Sequence, residues 1–196
     1  MRAIKHDYVT VDEYFRLSDE AEHKLEYLDG EIIAMSGVSP SHGTITANFM
    51  RILGNHLVPR LCLIFSGEVR VKLNNRAYVY PDVTVVYGEP QYYRHNCDTV
   101  QILENPTIVI EVLSPSTEQV DRGRKSMYYR RVPSLQEYML VSQDEPHIEH
   151  YVRQTDGTWT FSEVFGLEGE LYLSSIEYPL IVRDVYLKVQ FPAPEE

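Results

Sequence analysis

Two acidic residues stand in stretches that otherwise read as apolar strands. "YVYPDVTVVYG" (78–88) carries Asp82 behind Pro81, and "TIVIEVLSPST" (107–117) carries Glu111 at the centre of a β-branched run. Proline cannot donate to a sheet ladder, and burying a lone carboxylate is costly, so both placements call for a chemical reason. Side chains alternate across a strand, which sets Val79, Pro81, Val83 and Val85 on one face and Tyr80, Asp82, Thr84 and Val86 on the other. In the second run Ile108, Ile110 and Val112 form the core face, and Val109, Glu111 and Leu113 the other. Neighbouring strands of this kind present Asp82 and Glu111 side by side. Carboxylates held close repel, and one takes up a proton unless a cation sits between them. Mg²⁺ suits such a pair, because it takes hard oxygen ligands and binds through one or two carboxylates with water and phosphate completing the shell. The plainer alternative is that each acid is a strand-end carboxylate with a local structural partner.

The segment after Glu111, "STEQVDRGRKSMYYRRV", reads as a helix capped by Ser116 or Thr117. Glu118, Asp121, Arg122, Lys125 and Tyr129 fall at three- and four-residue steps and share a face. Lys125 can reach back over the strand ends toward the two acids. Helix geometry alone favours the plainer reading, an exposed Asp121–Lys125 pair worth roughly 0.3–0.5 kcal/mol. Arg122, Arg124, Lys125, Arg130 and Arg131 form the densest basic cluster of the chain. Arg122 and Arg124 are therefore candidate nucleic-acid contacts, or else parts of a solvated helix face answering nearby acids. Tyr128 and Tyr129 read as core and rim residues rather than stacking platforms.

The elements that must hold these groups follow from local signals. Residues 10–22 read as a short helix, with Thr10 as cap and Glu13 three residues on in a capping-box arrangement. "KLEYLDGEIIAM" reads as a hairpin turning at Asp29-Gly30, which pairs Leu28 with Glu31 and Glu26 with Ile33. Glu26 and Glu31 then share one face, as a further metal ligand or water-binding group, or simply as a solvated ribbon face. "SPSHGTITANFMRILGNHL" is the strongest helix, capped by Ser39 or Ser41, with Ile45, Phe49, Ile52, Leu53 and Leu57 forming one apolar stripe. His42 at its start is placed to contact a phosphate, or to serve as a surface or capping histidine. Strands are expected over 61–73, 77–87 and 107–113, a long polar loop over 88–106, and another strand at "LQEYMLVS". From 144 onward short strands and turns follow, with a second hairpin at Asp156-Gly157 and a frayed tail. The order is that of a mixed α/β domain with a central sheet and helices on its faces.

A chain of 196 residues is expected to form one domain with a core that needs no metal or disulfide staple. Cys62 and Cys97 form no CxxC, so neither a disulfide framework nor a zinc site is expected, and a reducing cytoplasm fits. The N-terminus has no apolar h-region, and no stretch approaches the roughly 18 apolar residues of a membrane span. The net charge of −11 argues against generic binding to a nucleic-acid backbone. A local basic strip is compatible with it, and the acidic surplus points to weak nonspecific DNA affinity or to a partner or homodimer that completes the binding surface.

Pro-Asp followed by a glutamate in an apolar strand resembles the PD-(D/E)xK nuclease superfamily. More closely, "YLDGEIIAMSGVSPSHGTI", "YVYPDVTVVYG", "IVIEVLSPST" and "DRGRKSMYYRRVPSLQEYMLV" resemble, in order, the Uma-two family of bacterial restriction-endonuclease-like proteins, a domain of unknown function. The resemblance runs from about residue 10 to about residue 150. It implies an α/β restriction-endonuclease-like core of helix, three strands, helix, strand, in agreement with the reading of residues 41–143. It implies Asp82 and Glu111 as ligands of Mg²⁺, with Mn²⁺ able to substitute, and a lysine that orients or deprotonates the attacking water. The superfamily places that lysine two residues after the strand acid, where this chain has Leu113. In the Uma-two pattern a lysine of the following helix stands in, which maps to Lys125. The implied activity is metal-dependent hydrolysis of DNA. Two rivals remain: a nuclease-fold binding or regulatory module without catalysis, favoured by Leu113 and the acidic charge, and a hydrolase using Asp82 and Glu111 as paired acid and base.

Overall fold

The computed structural model describes residues 8–35, 37–96, 100–115 and 118–192. Thr10 caps helix α1 (Val11–Glu20) by accepting a hydrogen bond from the Glu13 amide. The Glu13 carboxylate turns to Arg16 instead of closing a capping box. Strands β1 (Leu25–Leu28) and β2 (Glu31–Ala34) pair in the expected register, Leu28 with Glu31 and Glu26 with Ile33. Asp29 (φ 56°) and Gly30 (φ 93°) supply the two left-handed residues that the tight turn needs.

Helix α2 (Pro40–Leu57) begins at Ser39, whose hydroxyl accepts from the His42 amide. Its predicted stripe is buried at all five positions, each side chain worth about 1.5–3 kcal/mol on removal from water. Asn48 on the same helix donates to the carbonyls of Val185 and Leu187, both 2.9 Å away, at the end of the short helix α5 (Val182–Val185). Asn48→Ala leaves two carbonyls without their donor and is expected to cost about 1–3 kcal/mol in urea unfolding.

The two long strands expected over 61–73 and 77–87 are each broken. The first divides into β3 (Cys62–Ser66) and β4 (Val71–Asn74), and the second into β5 (Ala77–Val79) and β6 (Val83–Tyr87). The halves belong to different sheets. β3 and β6 join β9 (Ile108–Leu113), β10 (Glu137–Ser142), β11 (His147–Arg153) and β12 (Trp159–Phe165) in a main sheet of order β12-β11-β10-β9-β6-β3. Only β9 and β10 are parallel in it. The second sheet has the order β2-β1-β5-β4-β8-β7. Its last members, β7 (Tyr92–Tyr93) and β8 (Ile102–Leu103), lie in the stretch expected to be loop. The breaks explain Pro81: it sits where the chain leaves one ladder for the other and has no amide to satisfy. The two crossovers touch, since a Cβ on Gly67 would stand 3.5 Å from the Pro81 carbonyl oxygen.

Both faces of the main sheet are core. Ile108, Ile110 and Val112 face α2, while Val109 and Leu113 face Val71, Val79 and Leu28 of the second sheet. The face that carries the acids is therefore the interior of a two-sheet sandwich, not an open surface. The helix after β9 runs as α3 (Glu118–Val120), a π-helical segment (Asp121–Lys125) and α4 (Ser126–Tyr129). The expected caps Ser116 and Thr117 lie outside the described residues, as does Cys97; Cys62 is a free thiol. A small sheet of β13 (Glu170–Leu173) and β14 (Tyr178–Ile181) precedes α5 and the last described residues. Among the described residues no helix is long and apolar enough to cross a membrane.

Candidate active site

Asp82 and Glu111 come from neighbouring strands. Val83 pairs with Ile110, so Asp82, one residue before β6, stands level with Glu111 at the end of that ladder. The Val112 amide donates to Asp82 Oδ2 at 2.7 Å, which fixes the aspartate against the glutamate strand. His42 Nε2 lies 3.1 Å from the same oxygen, and His42 Nδ1 is buried with no hydrogen-bond partner among the described residues. His42 thus meets an acid of the site.

Lys125 is buried, at 4 % exposure, and is held by three carboxylates: Glu26 at 2.9 Å, Asp121 at 3.1 Å and Glu111 at 3.3 Å. This corrects the expectation of an exposed Asp121–Lys125 pair. The packing of the helix accounts for the difference: Tyr129 and Val132 belong to the buried cluster of Leu28, Val71 and Leu73, so the face that carries Asp121 and Lys125 turns inward. Glu26 also accepts from the Tyr80 amide at 2.9 Å, so one side chain of the hairpin ties the Tyr80-Pro81-Asp82 crossover to Lys125. Tyr129 donates to Glu111 Oε1 at 2.7 Å.

Three acids thus surround one lysine, and Asp82 stands beside Glu111. Burial pushes the Glu111 carboxyl well above the usual carboxylate range; Lys125 opposes the shift, and Asp121, Asp82 and Glu26 add to it. Burial raises Glu26 as well, against the pull of Lys125. For Lys125, burial works against the charged form, but Glu111, Glu26 and Asp121 together outweigh it and hold the ammonium well above its ordinary value. Lys125 is a fixed positive charge at neutral pH.

The acids line a cleft of about 290 Å³ whose rim includes Ile33, Met35, Val38 and Pro115. The Ser39 hydroxyl donates to Gln143 Oε1 at its wall. Among the described residues no group of three or more His, Cys, Asp or Glu is arranged to hold a metal ion. The Lys125 ammonium occupies the point where Glu26, Asp121 and Glu111 converge. Asp82 Oδ1 and Glu111 Oε2 accept no hydrogen bond from the described residues, and Asp121 Oδ1 is buried with only its ion pair to Lys125. Hard oxygen donors in excess of the local positive charge fit a divalent cation held by two carboxylates.

The other sequence candidates are placed elsewhere. Glu31 leaves the cluster and pairs with Arg124, which also donates to the Leu28 carbonyl. Arg122 pairs with Glu118 and Glu149. Both arginines are thus matched to acids of their own chain. Asp121 and Tyr129 are site residues that sequence reasoning assigned to the surface and the core. The four-residue step from Asp121 to Lys125, and again to Tyr129, was the one available signal.

The chain matches the model of the family Uma2, described as "Putative restriction endonuclease", over residues 11–180. Two uncharacterised proteins of Synechocystis, sll1609 and slr1290, are each 34% identical to it. The first match covers 85% of this chain and 93% of the relative, and the second covers 92% of each. The crystal structure of a "putative nuclease" of Anabaena variabilis belonging to DUF820 superposes with a TM-score of 0.73 at 21% identity, covering 91% of this chain and 97% of that one. With the family match, that likeness shows the restriction-endonuclease-like fold, and α2, β3, β6, β9, the α3–α4 helix and β10 follow the expected order of helix, three strands, helix and strand. By the extent of the family match, this chain belongs to the Uma2 family.

Proposed function

We propose that the protein is a Mg²⁺-dependent nuclease that hydrolyses phosphodiester bonds in DNA. The observation that carries the reading is the pairing of Asp82 and Glu111 on adjacent strands at one cleft, with Lys125 locked beside Glu111. Asp82 and Glu111 are the residues that would hold the metal. When bound, such an ion supplies charge to a developing phosphorane and makes a coordinated water more acidic. Hydrolysis adds water across a P–O bond, so one proton leaves the attacking water and one reaches the leaving oxygen. Lys125 stays protonated in this setting, and its contribution is positive charge beside the reacting phosphate rather than proton abstraction. Glu26 and Asp121 hold it in place, and Tyr129 and the Val112 amide orient the two metal-binding acids.

A second reading has its own observation. Arg122 and Arg124, the two candidate nucleic-acid contacts, are each paired with an acid of their own chain, which favours a nuclease-fold module without catalysis. Calorimetric titration of Mg²⁺ and Mn²⁺, run beside cleavage of plasmid and single-stranded DNA, separates the two. The nuclease reading expects metal binding and cleavage that stops with a chelator. No heat of binding at millimolar metal, as is ample for such sites, would remove the catalytic proposal in favour of the second.

A further inference from the structure

Strand β12 is the outer edge of the main sheet and pairs with β11 in unbroken register from Arg153–Trp159 to His147–Phe165. The flanking hydrogen bonds, Gln154 N to Thr158 O and Gly166 N to Pro146 O, set the phase of that ladder. Thr160, Ser162 and Val164 direct their amides and carbonyls to β11, and Trp159, Phe161, Glu163 and Phe165 direct theirs outward. Among the described residues none of these four amides or carbonyls has a backbone partner beyond the strand.

An open edge of seven residues is long, and natural sheets blunt such edges with lysine, proline or a bulge. β12 has no lysine, arginine or proline, and its register with β11 is continuous. Two large apolar side chains stand beside the edge, Phe161 at 52% and Phe165 at 60% exposure. Each is already oriented by a neighbour, Phe161 by Tyr151 (centroids 4.9 Å apart) and Phe165 by His147 (4.0 Å).

We infer that β12 is a homodimer interface, joining a second copy of this chain edge to edge in an antiparallel pair about a two-fold axis at Ser162. The strand is its own complement in this register. Phe161 falls opposite the partner's Glu163, and Trp159 opposite the partner's Phe165. All of these are outward-directed residues, so the ladder closes through every free amide and carbonyl of the strand. No charge faces a like charge directly, and Glu163 keeps its own counter-group, His147 Nε2 at 3.1 Å. The aromatic pair at each end supplies apolar burial that a bare backbone ladder lacks. Two strands separate β12 from β9, so the interface leaves the Asp82–Glu111 cleft open and does not depend on its chemistry.

Sedimentation of the full chain tests this. The wild type is expected to be dimeric at about 100 µM, a concentration that populates even a modest micromolar dimer. Phe165→Lys places a charge at the aromatic pair. Phe161→Pro removes an outward amide while sparing the β11 ladder. Each is expected to weaken the dimer at least tenfold with an unchanged far-ultraviolet spectrum. A monomeric wild type overturns the inference, and so does a dimer that survives Phe165→Lys. If Phe161→Pro does not fold, Phe165→Lys alone decides.

Discussion

Lys125→Met will destabilise the fold by about 3–5 kcal/mol, the usual cost of removing one partner from a buried ionic cluster. The methionine fills most of the same space, so packing is nearly preserved and the loss is electrostatic. Glu26, Asp121 and Glu111 lose the ammonium that lies 2.9–3.3 Å from each. Thermal unfolding should show it as a lower melting temperature, by about 2–4 °C for each kcal/mol in a chain of this size. The loss should depend on pH in a defined direction. Glu26 and Glu111 bind protons more tightly in the folded protein than in the unfolded chain. Groups of that kind stabilise most below the ordinary carboxylate range, and the contribution is lost as pH rises through their folded values. Lys125 is the group that restrains the shift, so its removal extends the loss to higher pH. The variant should sit closer to wild type at about pH 5 than at about pH 8. Glu26→Gln in the same chain removes one of the stranded charges and should recover part of the stability. A Lys125→Met protein that melts like wild type at both pH values would show that the ammonium is not what holds these acids together. For activity, the consequence is practical: loss of cleavage in a lysine variant means a lost chemical role only when the protein is shown to be folded, and the double variant is the proper comparison.

Asp82→Asn carries the largest expected effect on function with the least on structure. Its Oδ2 accepts from Val112 N, and an asparagine carbonyl oxygen can do the same. Stability should therefore change by no more than about 1 kcal/mol. Metal binding loses an anionic ligand. Losing an outer-shell partner typically weakens metal affinity about 10–100-fold, and a direct ligand is expected to cost at least as much. Calorimetry with Mg²⁺ and plasmid cleavage should fall together. Unchanged Mg²⁺ affinity in a folded Asp82→Asn protein would remove Asp82 from the metal site and leave its role as a clamp on β9.

The local elements were legible because their signals are short-range. Thr10 and Ser39 cap helices where their side chains reach the third amide on. Asp29-Gly30 sets the hairpin register by the φ values its turn requires. The apolar stripe of α2 is buried as its spacing demands. Asp82 and Glu111 stood out because an acid in an apolar strand has a solvation cost that a sequence displays directly. What did not show was any feature set by partners distant in the chain. The breaks at 67–70 and 80–82 separate halves that belong to different sheets, and alternation continues across such a break without a mark. Ile102–Leu103 is a strand because β4 lies beside it, and Tyr92–Tyr93 because Ile102–Leu103 does.

The sequence by itself determined the family, the order of the core elements and the two strand acids, since each rests on residue types at fixed short spacing. Tertiary structure alone decided which acids surround Lys125. Glu26 arrives from a hairpin that precedes the core, and Asp121 turns inward with the buried face of its helix. Glu31 and Arg124 neutralise each other instead of serving the site. Which charges meet depends on how the two sheets close on one another, and Coulomb interactions in a buried space are set by those distances, not by separation along the chain.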